Sequence, residues 1–213
     1  MSVTDYIPFD SKKAAFFDKL NPSSKYKSSG ASIPELRKLA KRIKKEEIEI
    51  VYIEDILLLA IIIASDNKCF QERKIEFESL TDYLVSWSVT DIFASSLKFS
   101  KKEEHLYYEY FLSLCDREDE MSVRLGLVTL KTRFLKAENI DAILSKLVKI
   151  QTDHYLLNMG AAWTFSEAII LFPDIALPYY SKASEVIRKL TRKKCLESFR
   201  VKGDFRTLIQ NLK

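Results

Sequence analysis

Few residues in this chain have the type and spacing that chemistry requires. Trp87 and Trp163 are its only indoles, and Asp91 follows Trp87 by four residues. On a helix that spacing puts indole and carboxylate on one face. Arg124 lies 37 residues after Trp87, and Trp163 lies 39 after Arg124, close to one residue per helix pair. In a stack of helix pairs, positions one repeat apart line the same surface, so Trp87, Asp91, Arg124 and Trp163 would face one cleft. A carboxylate flanked by indole faces suits the stabilisation of a cation, by charge and by cation–π attraction. Each residue also has a plainer assignment. A tryptophan fills a core, Asp91 in the first turn of a helix serves the macrodipole, and Arg124 pairs with a carboxylate. On spacing alone the plainer set is favoured.

Other chemistries have less to work with. Cys69, Cys115 and Cys195 are far apart, odd in number and lack any CxxC spacing. Neither a disulfide framework nor a zinc site is indicated, and the three are expected to be small core residues. Only His105 and His154 are present, so no metal and no cofactor is expected. The opening MSVTDYIPFDSKK has no basic segment followed by an apolar one, so a cytoplasmic protein without a signal peptide is expected. The longest apolar run, Ile56 to Ala64, falls well short of the roughly 20 residues a bilayer demands and reads as a buried helix.

The elements that must position these residues are helices. The 213 residues suit one domain spanning 1–213, and a hydrophobic content of 47% offsets ordering entropy. With 4 Gly and 5 Pro, hairpins are disfavoured and long helices joined by short links are favoured. Periodicity predicts helices over 10–20, 34–45, 52–64, 70–85, 87–97, 121–135, 139–150 and 154–172, the last stopped by Pro173. Ser32 and Glu35 form a capping box, and Ser100 and Glu103 a second one that opens an aromatic helix running to Cys115. A polar loop, 21–32, carries four serines before Gly30. The alternation from Ile48 to Ile53 is too short and too closely flanked to read as a strand. The expected fold is all-α, with HEAT/ARM-like stacked antiparallel helix pairs forming a curved solenoid with a concave groove.

The motifs in order resemble the bacterial DNA alkylation repair family, the AlkD-like HEAT-repeat DNA glycosylases, over about 30–200. The segment Gly30-Ala31-Ser32-Ile33-Pro34-Glu35-Leu36-Arg37 is similar to the family's early G-x-x-x-P-x-L-R. Ser86-Trp87-Ser88-Val89-Thr90-Asp91 carries its W-x-x-x-D. Val123-Arg124-Leu125-Gly126-Leu127 sits where the family has an Arg opening an apolar helix, and Asn158-Met159-Gly160-Ala161-Ala162-Trp163 resembles its later small-residue-plus-Trp motif. The chain departs from many relatives in having Ser166, not Arg, before Glu167.

The resemblance implies excision of cationic N3- and N7-alkylated purines from duplex DNA. Asp91 would be the catalytic carboxylate, Trp87 and Trp163 would flank the sugar, and Arg124 would contact the backbone. Such a base leaves neutral, so no general acid is needed, and the transition state resembles an oxocarbenium ion. Phosphate contacts are expected from the basic face that carries Arg37, Lys38 and Lys41, together with Arg42, Lys44 and Lys45. The stretch from Arg188 to Lys194 is a second source, and Lys101 and Lys102 are weaker candidates. Glu167, one turn after Trp163, is either a second cleft carboxylate or an ion-paired structural residue. A monomer with no membrane partner is expected. The formal charge of +4 only leans toward anionic partners. A non-catalytic nucleic-acid-binding module and a protein-interaction scaffold are the competing readings.

Overall fold

The computed structural model describes residues 1–22 and 24–212. Ser23 of the polar loop, and Lys213, lie outside the described residues. Among those described the chain is all-helical, with no strand. It divides into two compact units, Met1–Tyr107 and Tyr108–Lys213.

The first unit is built on α3 (Ile53–Ser65), which is buried along nearly its whole length. It packs against α2 (Ile33–Leu39), α4 (Phe70–Leu80) and α5 (Trp87–Ser96). The expected core run is there: Ile56, Leu58, Ala60, Ile63 and Ala64 are each no more than 2% exposed. Two carboxylates in its first turn gather the preceding chain. Glu54 accepts hydrogen bonds from the N–H groups of Ser29 (2.7 Å) and Gly30 (3.2 Å) and from the Ser28 hydroxyl. Asp55 accepts from the N–H groups of Val3 (2.5 Å), Tyr52 (2.8 Å) and Val51 (3.0 Å), and from the Ser2 hydroxyl. Gly30 is required by this route. Its φ is +84°, and a Cβ there would stand 2.4 Å from the Asp10 carbonyl at the start of α1 (Ser11–Leu20).

At the other end of α3, Arg73 of α4 is 1% exposed. Its guanidinium donates to the carbonyls of Ala64 (2.7 Å), Ile63 (3.3 Å) and Lys98, and to the Tyr107 hydroxyl (2.7 Å). The chain after Ser65 turns extended at Asp66, so those carbonyls have no following turn to satisfy them. The rings of Phe77 and Tyr107 lie about 5 Å from the guanidinium carbon, at 5.2 and 5.1 Å.

The second unit is organised around α9 (Tyr155–Leu171). It packs against α7 (Glu120–Arg133), α8 (Ile140–Leu147), α10 (Pro173–Tyr180) and α11 (Glu185–Glu197). A helix with neighbours on all sides must be apolar nearly all round, and Leu157, Ala161, Ala162, Phe165, Ala168 and Ile169 are buried. His154 caps its start, the ring Nδ1 accepting from the Leu157 N–H at 3.2 Å. Gly126 of α7 allows close packing, since a Cβ there would lie 2.7 Å from the Phe111 carbonyl of α6 (Glu104–Leu114).

Several expectations are corrected. The basic helix ends at Leu39 rather than Lys45. Although Ile43 continues the apolar spacing, the chain beyond Ala40 tightens, the Arg42 N–H bonding back only three residues, to Leu39 at 2.8 Å. Helix 70–85 stops at Leu80, where the Thr81 hydroxyl takes the Glu78 carbonyl (2.6 Å) and a 3-10 turn, Thr81–Tyr83, follows. The helix expected over 139–150 is confined to Ile140–Leu147. Asp91 is in the second turn of α5, whose first turn has no acidic residue, so it does not serve the macrodipole. Ser100 opens a turn rather than the helix. Glu103 accepts from the Ser100 hydroxyl (3.2 Å) with one oxygen and caps the first N–H of α4, at Phe70 (3.1 Å), with the other. Cys69 is exposed, not a core residue, and precedes α4 as its N-cap. Pro173 ends α9 and also opens α10.

Replacing Arg73 with Ala should cost about 3–5 kcal/mol, because buried carbonyls lose their partner along with the packing. Loss of hydrogen-exchange protection in α3 measures it, and a change below about 1 kcal/mol would show that water substitutes for the guanidinium.

Candidate functional site

In the first unit the candidate residues lie on one stripe of α5. Ser86 is extended (φ −156°) and its side chain accepts from the Ser88 N–H at 3.1 Å, which fixes the helix start. Trp87 is the first residue, its indole N–H donating to the Leu20 carbonyl at the end of α1 (3.3 Å). Asp91 stands one turn on, half-buried, and its carboxylate accepts from the Thr90 hydroxyl at 3.1 Å. Ser95 is a further turn along and exposed. Its hydroxyl accepts from the guanidinium of Arg37 at 3.3 Å. The opposite side of α5, with Val89, Thr90, Phe93 and Ala94, is buried. Arg37 on α2 thus stands at the end of the Trp87–Asp91–Ser95 stripe, and Lys38, Lys41, Arg42 and Lys44 are exposed around it. Glu35, at the start of α2, accepts from the Ser32 hydroxyl (2.5 Å) and N–H (2.9 Å), and these bonds hold its carboxyl below the usual range.

In the second unit Arg124 and Trp163 sit on α7 and α9. Arg124 is 4% exposed and its guanidinium donates to the Leu156 carbonyl at 2.6 Å. Gly160 makes this possible: a Cβ there would be 2.8 Å from an Arg124 guanidinium nitrogen and 3.2 Å from its Cγ. The small residue in the motif before Trp163 therefore seats the arginine of the preceding motif. Trp163 is half-buried, and the Lys131 ammonium stands 3.1 Å from the centroid of its ring. Glu167, one turn further on α9, is ion-paired to Arg200 at 2.6 Å. That bond raises the Arg200 pKa. Ser166 is 3% exposed and bonds to the Trp163 carbonyl (2.8 Å).

The structure thus sets Trp87 and Asp91 one turn apart in one unit, with Arg37 bonded to Ser95 a further turn along, and places Arg124 and Trp163 in the other. Sequence reasoning missed Ser95 and Lys131. Ser95 was accessible, as the next i+4 position after Asp91. Lys131 left no signal, because its link to Trp163 is tertiary.

Among the described residues no group of three or more His, Cys, Asp or Glu could hold a metal ion, and no helix is long and apolar enough to cross a membrane. Burial pushes the thiols of Cys115 and Cys195 up to about 12, a direction opposite to that of an activated nucleophile. A scan against protein-family models and searches of curated proteins and of solved structures return no match to this chain.

Two outcomes follow from this geometry. In the native protein at pH 8 one thiol, Cys69, should react readily with an aromatic disulfide reagent, and all three should react in denaturant. Fast reaction of a second thiol in the native state would contradict the burial. Gly160→Ala should destabilise the second unit by about 1–3 kcal/mol through overpacking against Arg124. A urea titration with Gly160→Ala beside Gly126→Ala, an overpacking control elsewhere in the unit, measures it.

Proposed function

We propose that this chain is a DNA alkylation repair glycosylase-like protein that hydrolyses the N-glycosidic bond of cationic N3- or N7-alkylated purines in duplex DNA. The observation that carries the proposal is the α5 stripe, where a half-buried indole and a half-buried carboxylate lie one turn apart and Arg37 of α2 bonds to Ser95 a further turn along. The motif resemblance supplies the substrate class, and a HEAT-like repeat arrangement over 1–213 is part of the same reading.

The chemistry needs little else. The C1′–N bond breaks with its electron pair going to the base, which leaves neutral, and positive charge develops on the deoxyribose. Asp91 stabilises that charge and orients a water whose oxygen adds to C1′, the released proton passing to the carboxylate and on to solvent. Preorganised charge of this kind is worth about 3–4 kcal/mol in a desolvated site, and an indole face adds about 0.5–2 kcal/mol. The exposed cations Arg37, Lys38 and Lys41 would hold phosphates without reading sequence.

A second reading has its own support. Arg124 is turned onto the α9 backbone, and Lys131 covers one face of Trp163. Both features remove these residues from a base-excision cleft, which suits a module that binds nucleic acid through exposed cations such as Arg37, Lys38 and Lys41 without excising bases.

Incubation with duplex DNA carrying one N7-methylguanine should release free base, and Asp91→Asn should slow release by about two to three orders of magnitude. Salt-sensitive duplex binding with no release of N7-methylguanine or N3-methyladenine would establish the binder instead.

A further inference from the structure

Phe199 is 92% exposed, the highest value among the large apolar side chains described. It lies in the turn joining α11 to α12 (Gly203–Gln210). The turn is held on both sides of it. Ser198 N–H bonds to the Cys195 carbonyl (3.0 Å) and Val201 N–H to the Ser198 carbonyl (3.1 Å). Val201 is 2% exposed, and Arg200 is ion-paired to Glu167 at 2.6 Å. Since Glu167 is one turn from Trp163 on α9, this ion pair links the turn to that stretch of α9. A phenyl ring presented in full to water from an anchored backbone gains nothing for the fold of its own unit.

Its surroundings are strongly cationic. Residues 182–213 contain ten Lys or Arg against three Asp or Glu. Lys193 and Lys202 are exposed, while Glu197 is neutralised by Lys194 at 2.8 Å. Ile187, Thr191 and Cys195 of α11 are buried, while Val186, at the opposite end of that helix, is 51% exposed and Leu208 of α12 is 45% exposed. The centre of a protein interface is depleted of such charge. A solitary aromatic ring flanked by cations instead matches a nucleic acid, with a π-face to stack on and phosphates on either side.

We propose that Phe199 is a base-stacking wedge, inserted at an unpaired or unstacked base of duplex DNA while exposed cations of α11 and the following turn hold the adjacent phosphates. This rests on the nucleic-acid reading above and adds to it a contact outside the four motif residues.

The test uses the full chain and two duplexes, one fully paired and one carrying a single unpaired 2-aminopurine. Wild type should bind the second more tightly and quench its fluorescence by stacking. Phe199→Ala should lose the quench and about 10- to 100-fold in affinity for that duplex, with an unchanged unfolding midpoint because the ring is exposed. Phe199→Trp should keep both. If Phe199→Ala matches wild type in affinity and quench while duplex binding persists, the wedge is overturned and the DNA reading stands. If wild type binds neither duplex, both are overturned. Binding only to vesicles containing phosphatidylserine, lost in Phe199→Ala, would also overturn both and make the turn a membrane contact.

Discussion

A guanidinium withdrawn from water needs acceptors for its donors, and Arg73 finds them mainly in main-chain carbonyls, with its Nε–H left without one among the described residues. The last turn of α3 ends without a left-handed cap, and its carbonyls take partners from elsewhere in the first unit, Ala64 from the Lys98 N–H at 2.9 Å as well as from Arg73. Arg73 reaches them from α4, and the same fork takes the Lys98 carbonyl after α5 and the Tyr107 hydroxyl on α6. One side chain thereby joins the ends of three segments to a fourth. Its charge is met by the negative end of the α3 dipole and by two aromatic faces. The position of α5, and with it the Trp87–Asp91 stripe, depends on this junction, because Lys98 follows directly on the α5 terminus.

The second unit solves a different problem. Its central helix is enclosed by four others, and it must admit an arginine from α7 without leaving a void. Gly160 provides the gap and Leu156 the acceptor. Trp163 follows by one turn at the edge of this enclosure, with Lys131 against its face. The residues after the core therefore turn outward in order: indole, carboxylate, and the guanidinium of Arg200 that the carboxylate holds.

Much of this order was legible in the sequence. The apolar run 56–64, the Ser32–Glu35 pair and the Pro173 stop each act within a few residues, and local spacing reports such effects directly. The Trp87–Asp91 pairing was legible for the same reason. What spacing missed was decided elsewhere. The basic helix is shorter than its spacing predicts because the backbone beyond Ala40 tightens to three-residue hydrogen bonds, which no charge pattern reveals. Glu103 looked like a local cap, yet one of its oxygens serves α4, 33 residues away in the chain. Arg124 was expected to line a cleft or to pair with a carboxylate, and only the gap at Gly160 shows where its head goes. Cys69 looked like core by residue type and proved to be a helix boundary.

The adjacent carboxylates Glu54 and Asp55 also bear on how the chain is made. The N-terminal residues and the 28–30 loop find their hydrogen-bond partners on the first turn of α3, up to 53 residues away. During synthesis that opening segment leaves the ribosome well before its acceptors do. Until α3 emerges, the early serines and main-chain amides must remain hydrated. These bonds can therefore form only after α3 has been made, and they close the first unit over a long stretch of chain.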